Sequence, residues 1–137
     1  MKKLLLIISI LALVLVPIGC VQSTIQSTIE SALAGISANY TIEVSGTAGL
    51  NFTGRYVVVT AAYDAVNYVA ITSTSHDVVL ENVSKTYTVT NAVEVGAMFQ
   101  KLSAGGETLT VRILKGGVQV AIANTTNPYG AVLVTAP

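Results

Sequence analysis

The chain has 137 residues with seven basic and seven acidic ones, a formal net charge of zero, and 52% hydrophobic against 10% charged residues. That balance sets nucleic acid aside as a partner: Arg55, Lys85, Lys101, Arg112 and Lys115 stand singly, whereas displacing counterions along phosphates needs a basic stripe. With Cys20 the only cysteine, no intrachain disulfide can form, and the fold must be held by its apolar core.

Residues 1–19 read as a signal peptide or membrane anchor. Lys2 and Lys3 precede an apolar run from Leu4 to Ile18, closed by Gly19 and Cys20, which is the pattern of an export signal. Fifteen residues, broken by Ser9 and ended by Pro17, fall short of the roughly 20 that cross a bilayer as a helix. Cleavage is therefore favoured over spanning. Cys20 sits where a lipoprotein signal places its lipid, and Pro17 stands where such signals usually carry Leu. Lipidation at Cys20 is the leading expectation; ordinary secretion and an uncleaved anchor remain the alternatives. The expected product is exported and held on the extracytoplasmic face of a membrane. Loss of residues 1–19 leaves 118 residues, one domain's worth and enough for a single core.

Residues 20–38 read as a linker that is partly helical. Ile25, Ile29, Leu33 and Ile36 recur at helical spacing, with Gly35 as a stop. A spacer between membrane and domain is favoured over a helix lying on the bilayer, because the polar face carries only Glu30 and no basic residue to hold anionic lipid.

From residue 39 to 137 the period changes to two, and a β-domain is expected. Ile42 and Val44 alternate with Thr41, Glu43 and Ser45, and Gly46 and Gly49 mark a turn. Leu50 to Thr60 continues as a strand in which Gly54 signals a bulge or a close backbone approach. Tyr68 to Thr72 is a further strand, Ser73 to Asp77 turn material, Val78 to Leu80 a short apolar piece, and Lys85 to Thr90 an alternating strand. Val95 to Leu102 is less regular. Leu109, Val111 and Ile113, then Gly116-Gly117, then Val118, Val120 and Ile122 spell a hairpin with a two-residue turn. Gly105-Gly106 is read as a hairpin pair as well. Gly130 to Thr135 is the last strand, after a turn at Thr126-Asn127-Pro128. About seven short strands argue for an all-β fold, an antiparallel two-sheet β-sandwich of immunoglobulin-like type, with a small barrel as the alternative.

Residues for chemistry are few. His76 beside Asp77 is the one pair with metal-ligating character, but a site needs three or four ligands, so a polar turn is the stronger reading. No serine lies in a Gly-x-Ser-x-Gly elbow. Glu43, Asp64, Asp77, Glu81, Glu94 and Glu107 occur one at a time, as solvated surface charges do. No catalytic residue, metal ligand or cofactor is expected, and the chain is read as non-enzymatic. A ligand pocket, if one exists, would draw on Tyr56, Tyr63, Tyr68, Tyr87 and Tyr129, whose commoner role is as core or rim aromatics. Asn39, Asn51, Asn82 and Asn124 match the Asn-x-Ser/Thr acceptor pattern, against roughly one match by chance. They are candidate glycosylation sites, or a by-product of abundant Thr and Ser on exposed strands.

Tyr40 to Ala48 (YTIEVSGTA), Thr108 to Lys115 (TLTVRILK) with its Gly-Gly turn, and Pro128 to Val134 (PYGAVLV) together resemble the MmpS family of small transport-accessory proteins. The resemblance spans about residues 40–136. It implies a membrane anchor joined to an exported β-sandwich that assists lipid or siderophore exporters. The expected function is accordingly a tethered β-sandwich acting by binding, as accessory to a membrane transporter. The alternative is a structural envelope protein that self-assembles or coats the surface.

Overall fold

The computed structural model describes residues 21–137, with side chains from Thr24 onward. The apolar run Leu4–Ile18, Gly19 and Cys20 lie outside the described residues. The described chain forms one helix, α1 (Val21–Ile36), and eight strands: β1 (Ala38–Gly46), β2 (Phe52–Asp64), β3 (Tyr68–Glu81), β4 (Lys85–Ala92), β5 (Glu94–Lys101), β6 (Leu109–Lys115), β7 (Val118–Thr125) and β8 (Ala131–Ala136). No described helix is long and apolar enough to cross a membrane.

The helix and Ala62–Ala70, the far end of the β2–β3 hairpin, group as one compact unit. The spacing of Ile25, Ile29, Leu33 and Ile36 fixes the sheltered side of α1: Ile29 and Leu33 are buried and the other two half-buried, while Thr24, Ser27, Glu30 and Ser31 are exposed. The Ser27 and Thr28 hydroxyls donate back to the Thr24 carbonyl, and Gln26 donates to Glu30 one turn on. At the hairpin end, Asp64 Oδ1 accepts from the Val66 and Asn67 amides at 2.9 and 2.7 Å, first Asn67 and then Val66 pulling its pKa down.

Ser37–Ala61 and Ile71–Pro137 form the second unit, the sandwich itself. Two antiparallel four-stranded sheets, ordered β4-β1-β6-β7 and β3-β2-β5-β8, pack face to face. Period-two alternation aims Tyr40, Ile42 and Val44 of β1 and Leu109, Val111 and Ile113 of β6 inward from the first sheet. Phe52 and Val58 of β2, Val95, Ala97 and Phe99 of β5, and Val132, Val134 and Ala136 of β8 meet them from the second. Ile42 lies between Tyr87 of β4 and Ile113 of β6, so β1 is central and covered on its inner face. Gly116 and Gly117 turn the β6–β7 hairpin with φ of 57° and 83°, the left-handed pair that a two-residue turn requires.

Eight strands are present among the described residues, close to the seven or so expected. Three local expectations need correction. Val95 to Leu102 is the regular strand β5, whose alternation is masked in sequence because Gly96 and Met98 face outward and charged Lys101 faces inward. Ser73 to Asp77 is no turn: β3 runs straight through it, because an edge strand exposed on both faces tolerates polar side chains. Gly105-Gly106 lies in the crossover from β5 to β6, which joins the two sheets, and closes no hairpin.

Tyr40 and Tyr87 each bury a hydroxyl with no hydrogen-bond partner among the described residues. Leaving such a group unpaired costs its desolvation, which a phenyl ring would not incur. Tyr40→Phe is therefore expected to leave unfolding stability unchanged or raise it by up to about 1 kcal/mol in urea titrations. A loss of that size would instead show the hydroxyl bonded to a trapped water.

Candidate functional site

Neighbouring residues in a strand point to opposite faces, and this separates His76 from Asp77. Asp77 turns to the outer face of the β3-β2-β5-β8 sheet and pairs with Arg55 at 2.9 Å; His76 stacks on Tyr56 with ring centroids 4.7 Å apart. The two side chains cannot share a ligand. Among the described residues no group of three or more His, Cys, Asp or Glu is placed to hold a metal ion.

His76 begins an aromatic row that continues through Tyr56 and Tyr87 (5.0 Å) to Phe99 (6.2 Å) and Phe52 (6.0 Å). Of the five tyrosines considered for a pocket, Tyr56 and Tyr87 meet here, and Tyr63, Tyr68 and Tyr129 do not join them. Burial, then the Glu81 charge and Tyr56, push the Tyr87 phenol up, so it remains neutral beyond the usual tyrosine range.

A broad concave surface lies on the outer face of the β3-β2-β5-β8 sheet. One open depression of 540 Å³ is lined by Thr53, Arg55, Asp77, Val79, Met98 and Gln100. A second, of 370 Å³, shares Arg55 and Met98 and adds Val57, Val59, Gly96 and Leu133. The two form one groove, apolar along β2, β5 and β8 and charged where Arg55 meets Asp77. Val79, Met98 and Leu133 are 85%, 48% and 67% exposed, and on the outer face of the other sheet Ile122 is exposed opposite Arg112. There Thr41, Thr86, Thr88 and Thr110 surround the Glu43–Arg112 ion pair, whose partners stand opposite in register. Both depressions are open and shallow; they suit a surface contact better than enclosure of a small molecule. The Arg55–Asp77 pair is solvated, so it contributes little to the stability of the fold.

At one end of the sandwich Lys101 continues the inward row Val95, Ala97, Phe99 and is fully buried. Its ammonium donates to the carbonyls of Gly105 (2.7 Å), Glu107 (2.5 Å) and Thr126 (3.3 Å), and the Glu107 carboxylate lies 3.7 Å away. Three donors meet three acceptors, so the charge is buried at a modest cost and ties the β5–β6 crossover to the β7–β8 turn. The Glu107 carboxylate is held below the usual range by its own backbone amide, then by the Ser103 hydroxyl and Lys101. This is a structural lock rather than a reactive lysine. Sequence reasoning counted it only among the singly placed basic residues, although its place in an inward-facing row was the available signal.

Asn39, Asn51, Asn82 and Asn124 are all exposed, Asn39 and Asn124 within strands and Asn51 and Asn82 beside strand ends. They do not converge with the groove. The sequence also held the signal for the groove: the apolar runs Val57-Val58-Val59, Val78-Val79-Leu80 and Val132-Leu133-Val134 place apolar side chains on both faces of their strands. No protein-family model matches the chain, and no curated protein matches it either.

Proposed function

We propose that the chain is an exported β-sandwich, tethered to the membrane through Cys20 or the apolar segment before it, that acts by binding as an accessory to a membrane transporter. The observation that carries the binding reading is the groove on the outer face of the β3-β2-β5-β8 sheet, where Met98, Val79 and Leu133 stay exposed beside the Arg55–Asp77 pair. Exposed apolar surface rimmed by polar groups is what contact surfaces offer. The tether is supported by the sequence of residues 1–20, and the transporter by the resemblance of residues 40–136 to the MmpS family. The repeated passage of the chain between two sheets supports the immunoglobulin-like subclass.

The test has two parts. Intact mass of the membrane-extracted protein should show a chain beginning at Cys20 with acyl groups attached. Cross-linked capture from native membranes should recover a transporter component with the wild-type chain and at least tenfold less with Leu133→Lys or Met98→Lys, while Thr88→Lys on the opposite sheet captures normally. Unacylated protein found free outside the cell overturns the tether, and equal recovery by all variants overturns the groove.

A further inference from the structure

The four edges of the two sheets are not equally protected against pairing with another strand. β4 begins on Lys85 and carries Asn91 at φ 55°, beside a register shift opposite Ala38 and Tyr40. β7 contains a register shift against β6 and lies alongside β8, which is six residues long between Pro128 and Pro137. Lysine, irregular backbone, proline and short length are the usual devices that blunt an edge. β3 has none of them from Ile71 to Val79, a stretch without Lys, Arg, Pro, Gly or a positive φ, and it is the terminal strand of its sheet. Ile71 and Val79 on this stretch are 71% and 85% exposed.

The stretch is also complementary to itself. In an antiparallel pair about a two-fold axis, directly opposed residues share a face, so the two positions differ by an even number. Centring the axis on Ser75 sets Ile71 against Val79 twice, Ser73 against Asp77 twice and Thr74 against His76 twice. Ile71 and Val79 gain each other as apolar neighbours, Thr72 faces Val78, and each Asp77 carboxylate faces a hydroxyl donor. Centring on Asp77 would oppose two carboxylates, and centring on His76 would set Ile71 against Glu81 and Val79 against Ser73. Charge and hydrophobicity therefore favour the Ser75 register over these two.

We propose that Ile71–Val79 of β3 is a homodimerisation edge, where a second copy of the chain pairs antiparallel with Ser75 opposite Ser75 and joins the two β3-β2-β5-β8 sheets into one of eight strands. Such an interface is isologous and closes at two copies. It stands independently of the tether, and it shares Asp77 and Val79 with the groove.

The experiment uses the full chain in mild detergent with Cys20→Ser, so that an introduced thiol is the sole cysteine. Opposed residues at the axis have Cα atoms about 4.5–5.5 Å apart, within disulfide reach. Ser75→Cys should cross-link to a dimer under mild oxidation at least tenfold faster than Thr88→Cys, an exposed position on the other sheet. Adding Ile71→Lys should reduce that rate at least tenfold, with the far-ultraviolet circular dichroism unchanged. Linking at Ser75 no faster than at Thr88, or insensitive to Ile71→Lys in a folded protein, overturns the proposal. Cross-linking of Ser75→Cys in native membranes to a different protein alone would show another chain's strand on this edge, and would overturn the second copy as its occupant.

Discussion

Replacing Gly54 by Ala is expected to lower the unfolding free energy by at least about 3 kcal/mol, the largest loss for a change of one methyl group in this chain. Gly54 stands opposite Phe99 in the β2–β5 ladder, and a Cβ built there collides with the Met98 carbonyl oxygen and lies 2.6 Å from Phe99 Cδ1 and 2.8 Å from Phe99 Cα. Two of those neighbours are backbone in a central strand, and the third belongs to a fully buried ring. None can move without breaking ladder hydrogen bonds or core packing. Gly96, on β5 of the same sheet, supplies the contrast: a Cβ there meets nothing closer than Thr135 Cγ2 at 3.6 Å. Gly96→Ala should stay within about 1 kcal/mol of wild type, since only backbone entropy changes. Urea titrations of the two variants side by side decide the matter, and similar losses for both would refute the close approach.

The second large effect is expected at the buried lysine. Lys101→Met keeps the length of the side chain but removes the charged donor from the Gly105, Glu107 and Thr126 carbonyls. Losing hydrogen bonds to an ionised group, with acceptors left facing an apolar side chain, is expected to cost about 2–4 kcal/mol. Lys115→Met serves as the control, because Lys115 donates to a single exposed carbonyl, that of Pro137. A Lys101→Met variant within about 1 kcal/mol of that control would show that the lock contributes little. The same cluster sets a pH dependence. Glu107 has its folded pKa lowered, so its stabilising contribution is complete above the ordinary glutamate pKa and is lost as pH falls through the lower folded value. Glu107→Gln should therefore flatten the acid limb of the stability profile and leave the neutral plateau's slope unchanged.

These positions show where sequence reasoning succeeds and where it stops. Alternation at Ile42 and Val44 and at Leu109, Val111 and Ile113, with Gly116-Gly117 between β6 and β7, made β1 and β6 readable, because their inner faces are apolar and their outer faces polar; in β7 the period was legible but its sides were not, since Ala121 and Ala123 face the core and Val120 and Ile122 are exposed. The helix spacing of Ile25, Ile29, Leu33 and Ile36 was equally legible. The second sheet obscured itself. Its outer face is apolar at Val57, Met98 and Leu133, and its inner row contains Lys101, so β5 carries no clean period of two; β3, polar on both faces from Ser73 to Asp77, resembled a turn there.

By itself the sequence determined the β class and the hairpin, both consequences of local period and residue type; it left Gly54 as a bulge or a close approach and read as single the charges that the fold pairs, Glu43 with Arg112, Asp77 with Arg55 and Glu107 with Lys101. Only the tertiary structure decided that Lys101 is buried among three carbonyls, that His76 and Asp77 face apart, that Val79, Met98 and Leu133 share one groove, and that β3 is an edge. Each of these depends on which strand lies beside which. That order is set by contacts between residues far apart in the chain, such as Glu43 with Arg112 and Lys101 with Thr126, and no local pattern encodes them.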